Sequence, residues 1–182
     1  MKNRKDIIEN LICFLVIAFC YLFFFRNVIL TDGLFGDSGD GRLCTLITEH
    51  WWRVLTGKDA VTELNTFHPS SNEIGYTDMF LGFGIIHSVF RLFGIEMYRA
   101  FKYTILTLNL IGAIFTYLCL NRQLKLSKLW ALFGTISFSF SLCVGSLINH
   151  PQLFFINIIP VALFLLLSIC IACCCIPINI PL

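Results

Sequence analysis

"MFLGFGIIHSVFRLFG", residues 79–94, decides how many times this chain crosses a membrane. A helix spanning the hydrocarbon core needs about 20 apolar residues. This run has 16, and it carries His87 and Arg91 four apart, hence on one helical face. A charge near the bilayer centre costs at least ~2.5 kcal/mol. Around it lie four longer apolar runs: Ile7–Leu30, Phe101–Leu120, Leu129–Leu147 and Leu153–Cys175. Basic residues arbitrate between four spans and five. Lys2, Arg4 and Lys5 precede the first run and place the N-terminus in the cytoplasm under the positive-inside rule. Residues 31–78 then face outward, and they hold eight acids against three bases. If 79–94 lies flat at the outer interface, the next run returns inward and Arg122, Lys125 and Lys128 land in the cytoplasm. If it spans, that basic loop faces outward, an arrangement favoured only by Arg91, Arg99 and Lys102 near the outer surface. The expectation is an all-α integral membrane protein of about four transmembrane helices plus two interfacial helices, with five transmembrane helices as the alternative.

Composition supports the class. Hydrophobic residues make up 57% of the chain, charged residues 13%, and the mean hydropathy is +0.81. A soluble domain carries about 25% charged residues. The net charge of +2 gives no electrostatic basis for binding nucleic acid. The first run follows "MKNRK" but is too long for the apolar region of a signal peptide and lacks a small-residue cleavage site, so it reads as a retained anchor. Of the cysteines only Cys44 lies in a polar loop, which leaves no disulfide framework. "CIACCC", residues 170–175, has no interleaved histidine or polar residue and reads as small apolar filler at a helix end, with S-palmitoylation open if that end is cytoplasmic.

The whole chain, 1–182, reads as one membrane domain: a cytoplasmic N-terminus at 1–6, spans at 7–30, 101–120, 129–147 and 153–175, and an outer loop at 31–100. Within that loop Leu43, Leu46, Ile47, Trp51, Val54 and Leu55 recur at helical spacing, predicting an amphipathic helix over 42–56. Glu49 and Arg53 form an i,i+4 pair on its polar side, Gly57 is a natural stop, and Trp51 and Trp52 suit the headgroup level. "HPSSNEIGYTD", residues 68–78, is a turn-rich connector whose Thr77 or Asp78 can cap the second interfacial helix, 79–94.

The polar residues of the outer face then become informative. "FGDSGDGRLC", residues 35–44, sets Asp37 and Asp40 on a glycine-rich turn just beyond the first span. Asp78 and the "INHPQ" turn at 148–152, with His150, fall on the same side. Oxygen side chains at 37, 38 and 40 look like half of a calcium loop but lack the distal glutamate of an EF-hand.

The order of elements resembles the GT-C superfamily of polytopic glycosyltransferases. In that family an acidic motif follows the first span and precedes two interfacial helices. "GDSGDGR" (36–42) stands at the motif's place, and "FHPSSNEIGYTDMFLG" (67–82) and "NHPQLFFINIIPVALFLL" (149–166) are similar to segments of bacterial GT-C-like proteins. The resemblance implies transfer of a sugar from a polyprenyl-phosphate donor to an acceptor at the outer face of a bacterial inner membrane, with inversion. It implies Asp40 as the base, Asp37 as second choice, and Arg42, His87, Arg91 and His150 as groups that pair with the phosphate or orient the sugar. Asp78 joins the substrate-binding candidates, with a second catalytic acid or a helix cap as its other readings. No cofactor is called for, and a divalent metal is left open. Family members have more spans and in many cases a soluble C-terminal domain, which implies that this chain is the N-terminal portion of a larger membrane enzyme and incomplete as it stands. The competing readings are a non-enzymatic scaffold or subunit, whose polar loop binds a partner, and a transporter fragment, in which His87 and Arg91 line a pathway.

Overall fold

A computed structural model of the chain describes residues 2–64, 70 and 72–174. Among these residues the structure is entirely helical, with no strand. Four helical stretches are long and apolar enough to cross a membrane: Arg4–Phe24, Met97–Gln123, Lys128–Asn149 and Pro151–Ile171. The α-helices are α1 (Lys2–Phe24), α2 (Arg26–Leu30), α3 (Asp40–Leu55), α4 (Leu81–Leu92), α5 (Met97–Leu118), α6 (Lys128–Ser139), α7 (Leu142–Ser146) and α8 (Ile158–Cys174).

The expected boundaries shift where the backbone finds a local reason. The first run breaks at Phe25 instead of continuing to Leu30. There Arg26 folds back, donating to the Phe23 carbonyl at 3.0 Å and covering the Phe23 ring at 4.4 Å. The third run breaks after Ser139, and its freed carbonyl accepts the Asn109 amide at 3.2 Å. The fourth opens as a 3-10 helix, Pro151–Asn157, before α8 begins. Pro160 falls in the first turn of α8, where its missing N–H costs nothing. The connector over 68–78 contains a 3-10 turn, Glu73–Tyr76, while residues 65–69 and 71 lie outside the described residues. So does Cys175, the end of the expected fourth span and of the cysteine run. The cysteines at 13, 20, 44, 119 and 170 are free thiols.

The 79–94 stretch forms only the 12-residue α4. At 1.5 Å per residue it is ~18 Å long, well short of the ~30 Å core. The five-span alternative fails on length.

The chain divides into two compact units. The first comprises 1–26, 108–144 and 155–182. Its core joins Cys13, Ile17, Ala113, Tyr117 and Ala131. Lys128 ties α6 to α1 through Asp6 and Glu9, and the Tyr117 hydroxyl donates to Asn10 at 3.0 Å. Ile8, Leu11, Ile12, Leu15, Phe19, Leu22 and Phe23 of α1 are exposed, an apolar surface suited to lipid.

The second unit comprises 27–107 and 145–154. Its centre is the packing of α3 on α4 around Ile47, Trp51, Leu64 and Ile74. Close approach depends on Gly84: a Cβ there would sit 2.5 Å from Trp51 Cδ1. Trp51 is consequently buried between the two helices.

Candidate acid–histidine site

The second unit brings together residues that are more than a hundred positions apart. Phe35 and Phe154, both buried, meet edge to face at 5.3 Å. Beside them Gly36, at φ +95°, presses on the 148–151 turn: a Cβ there would lie 3.0 Å from Pro151 Cγ and 3.1 Å from the Ile148 carbonyl. Glycine alone satisfies both that torsion and that approach. The loop therefore reaches the start of α3 directly against His150 and Gln152.

Asp37 and Asp40 do different work. The exposed Asp37 carboxylate accepts the backbone N–H groups of Gly39 at 2.9 Å and Gly41 at 3.4 Å. It thereby satisfies the first turn of α3 and places negative charge at the positive end of the helix. Asp40, the first residue of α3, accepts His150 Nδ1–H at 2.9 Å and the Gln152 amide at 3.4 Å, both on Oδ2. The His150 hydrogen bond, then that of Gln152, holds the Asp40 carboxyl below the usual carboxylate range. One turn along α3, Cys44 donates to Gln152 Oε1 at 3.6 Å. Burial, then the charges of Asp40 and Asp78, push its thiol up to about 12, so it is no thiolate nucleophile at neutral pH. The Asp40 and His150 side chains keep 43% and 54% of their surface exposed, which makes the pair reachable.

The loop over 35–40 and the 148–152 turn belong to the same compact unit, which is what lets Asp40 and His150 meet.

Arg42 is exposed and lines a cavity of about 420 Å³ with Gly33, Leu34, Glu96, Tyr98 and Arg99. Arg99 pairs with Asp32 at 3.1 Å, and Glu96 accepts the N–H groups of Tyr98 and Arg99 at the start of α5.

His87 and Arg91 do not join Asp40. Both point from α4 to Glu49 of α3: His87 Nε2 lies 2.8 Å from Oε2, and Arg91 Nη2 donates to Oε1 at 3.1 Å. His87 is fully buried. The expected Glu49–Arg53 pair is therefore replaced. Arg53 turns to Asp59, with Nε at 2.7 Å and Nη2 at 3.0 Å, and this guanidinium holds the Asp59 carboxyl below its ordinary value. Asp78 does not cap α4 either, because Phe80 occupies the N-cap at φ 47° with no side-chain cap. Sequence reasoning missed Gln152 although it stood in the quoted "INHPQ" turn, and missed Glu49 as the partner of α4 because a local rule had already assigned it. Among the described residues no three His, Cys, Asp or Glu side chains gather as a metal centre requires.

Comparisons of the chain with protein-family models, with curated proteins and with solved structures return no match.

Proposed function

We propose that this chain takes part in GT-C-type glycosyl transfer, moving a sugar from a polyprenyl-phosphate donor to an acceptor hydroxyl at the non-cytosolic face of a bacterial inner membrane. The observation that carries the reading is the Asp40–His150 pair, reachable from solvent and located at the turn between two apolar stretches. A hydroxyl attacking a sugar carbon needs a proton acceptor within hydrogen-bond reach. A leaving group anchored in lipid requires that acceptor to stand at the membrane surface. The cavity of Arg42 and Arg99, also in the second unit, offers guanidinium groups for a phosphate. The resemblance of "GDSGDGR" to the family's acidic motif adds support. The N-terminus is cytoplasmic in this arrangement, with α3 and α4 at the outer surface. His87 and Arg91, occupied by Glu49, are assigned here to holding α3 against α4 and not to the substrate.

The test uses the chain purified in detergent micelles with a panel of synthetic farnesyl-phosphate hexoses and membrane lipid extract as acceptor. Chromatography reads the release of farnesyl phosphate. The reading expects release that falls at least ~100-fold in Asp40→Asn. No release across the panel refutes it, as does a reporter fused at Gly41 that resides in the cytosol.

A further inference from the structure

Asp40 is a poor candidate for the atom that takes the proton. Its Oδ2 is already engaged by both His150 and Gln152, and it stands in the first turn of α3, where the helix dipole favours the ionised form. A carboxylate stabilised in this way is a weaker base than the residue type in general. Imidazole, with a reference pKa of about 6.5 against about 3.9 for aspartate, is nearer to operating pH and accepts a proton more readily. The hydrogen bond to Asp40 also determines which imidazole nitrogen is available. Nδ1 donates to the carboxylate, so in the neutral ring the lone pair resides on Nε2. No side chain or carbonyl among the described residues engages Nε2, and the ring is half exposed. Gln152 completes the arrangement: its amide nitrogen donates to Asp40 while its oxygen accepts from Cys44, so the carboxylate is held from two sides.

We infer that His150, through Nε2, is the general base of this site, and that Asp40 and Gln152 are positioning residues that fix its tautomer and direction. The identity of the proton donor as an acceptor hydroxyl rests on the glycosyl-transfer reading. In that step the hydroxyl proton passes to Nε2 as the acceptor oxygen bonds to the anomeric carbon. The bond from that carbon to the phosphate oxygen breaks, and its electron pair leaves with the lipid phosphate. The titratable group against the ring is Asp40; Cys44, one turn along α3, faces Gln152, and Asp78 acts on that thiol.

The decisive variant is His150→Asn. Its amide nitrogen stands near the place of Nδ1 and retains donation to Asp40, while the basic nitrogen is gone. Expected is a loss of transfer of ~100-fold or more with an unchanged melting temperature. Transfer within tenfold of wild type in His150→Asn, with Asp40→Asn inactive, assigns the proton to the carboxylate and overturns the proposal. A second readout needs no turnover. Diethylpyrocarbonate acylates only unprotonated imidazole, and peptide mass spectrometry separates His150 from the buried His50 and His87. His150, with its ring half exposed and Nε2 unengaged, should be labelled in preference to the buried His50 and His87. If the wild-type chain releases no lipid phosphate, the glycosyl-transfer reading fails, and this labelling still decides the pair: preferential labelling of His150 supports an exposed imidazole with a free Nε2, and an unlabelled His150 overturns it.

Discussion

Glu49 is the residue on which the helix pair α3–α4 most depends, and Glu49→Gln tests that dependence with little change in shape. The carboxylate is 11% exposed and serves two partners on α4 at once, His87 at 2.8 Å and Arg91 at 3.0–3.1 Å. Removing one member of a buried ion pair costs ~3–5 kcal/mol, because the other charge remains desolvated. Arg91 retains 24% of its side-chain exposure, so water relieves part of that cost and roughly 2–3 kcal/mol should remain. For a chain of 150–250 residues each kcal/mol moves the melting temperature by about 2–4 °C, which gives a fall of roughly 4–12 °C. The assay is thermal unfolding in detergent micelles followed by tryptophan fluorescence, for which Trp51 lies inside the affected interface. The double variant Glu49→Leu with Arg91→Met removes both charges and should recover most of the loss, since replacing a whole buried pair by apolar residues is often neutral or better. A Glu49→Gln protein that melts with wild type, or a double variant whose loss equals the sum of the single losses, would refute the claim that the two charges are coupled.

Three further outcomes follow from the same geometry. Gly84→Ala places a methyl group 2.5–2.6 Å from three Trp51 atoms, so the helices must part and stability should drop by ~1–3 kcal/mol, less the up to ~1 kcal/mol that alanine returns as a helix former, with red-shifted tryptophan emission as the check. Asp37→Ala removes the acceptor for two N–H groups at the start of α3 and should cost about 1 kcal/mol in the same melt, with Asp37→Asn retaining most of it. Asp59 has its folded pKa lowered by Arg53, so its contribution is complete above the unfolded value of about 3.9 and is lost as pH falls through the folded value below it. Asp59→Asn should therefore flatten the stability profile only in that acid window, as read from melting temperatures between pH 2 and 6.

The class of fold was legible because it rests on local quantities. Run length and apolar content specify a helix that lipid can surround, and 16 residues interrupted by His87 and Arg91 do not, which is why α4 is short and, among the described residues, four helical stretches are long and apolar enough to cross a membrane. The amphipathic spacing over 42–56 located α3 to within two residues at its start and one at its end for the same reason. The helix breaks at Phe25 and after Ser139 were not legible, since both depend on where a freed carbonyl finds a donor.

Partner choice was decided by tertiary structure alone. Glu49 and Arg53 satisfy the i,i+4 rule, but an exposed helical pair is worth only about 0.3–0.5 kcal/mol. Once α4 packs on α3, His87 and Arg91 present two donors to Glu49 in a drier setting, and Asp59 takes Arg53 with two hydrogen bonds. The acids and the histidine were expected at one end of the spans from counting crossings, and Asp40 and His150 do meet. That Asp40 receives His150 while Asp37 caps a helix was not visible, because it turns on Gly36 closing against Pro151 and on Phe35 meeting Phe154. The sequence by itself determined which segments are helical and which are long and apolar enough to cross a membrane, since hydrophobic length and period are properties of neighbours along the chain. Which carboxylate meets which cation was decided only by packing, since a hydrogen bond depends on ångström-scale distances between residues that the chain order holds far apart.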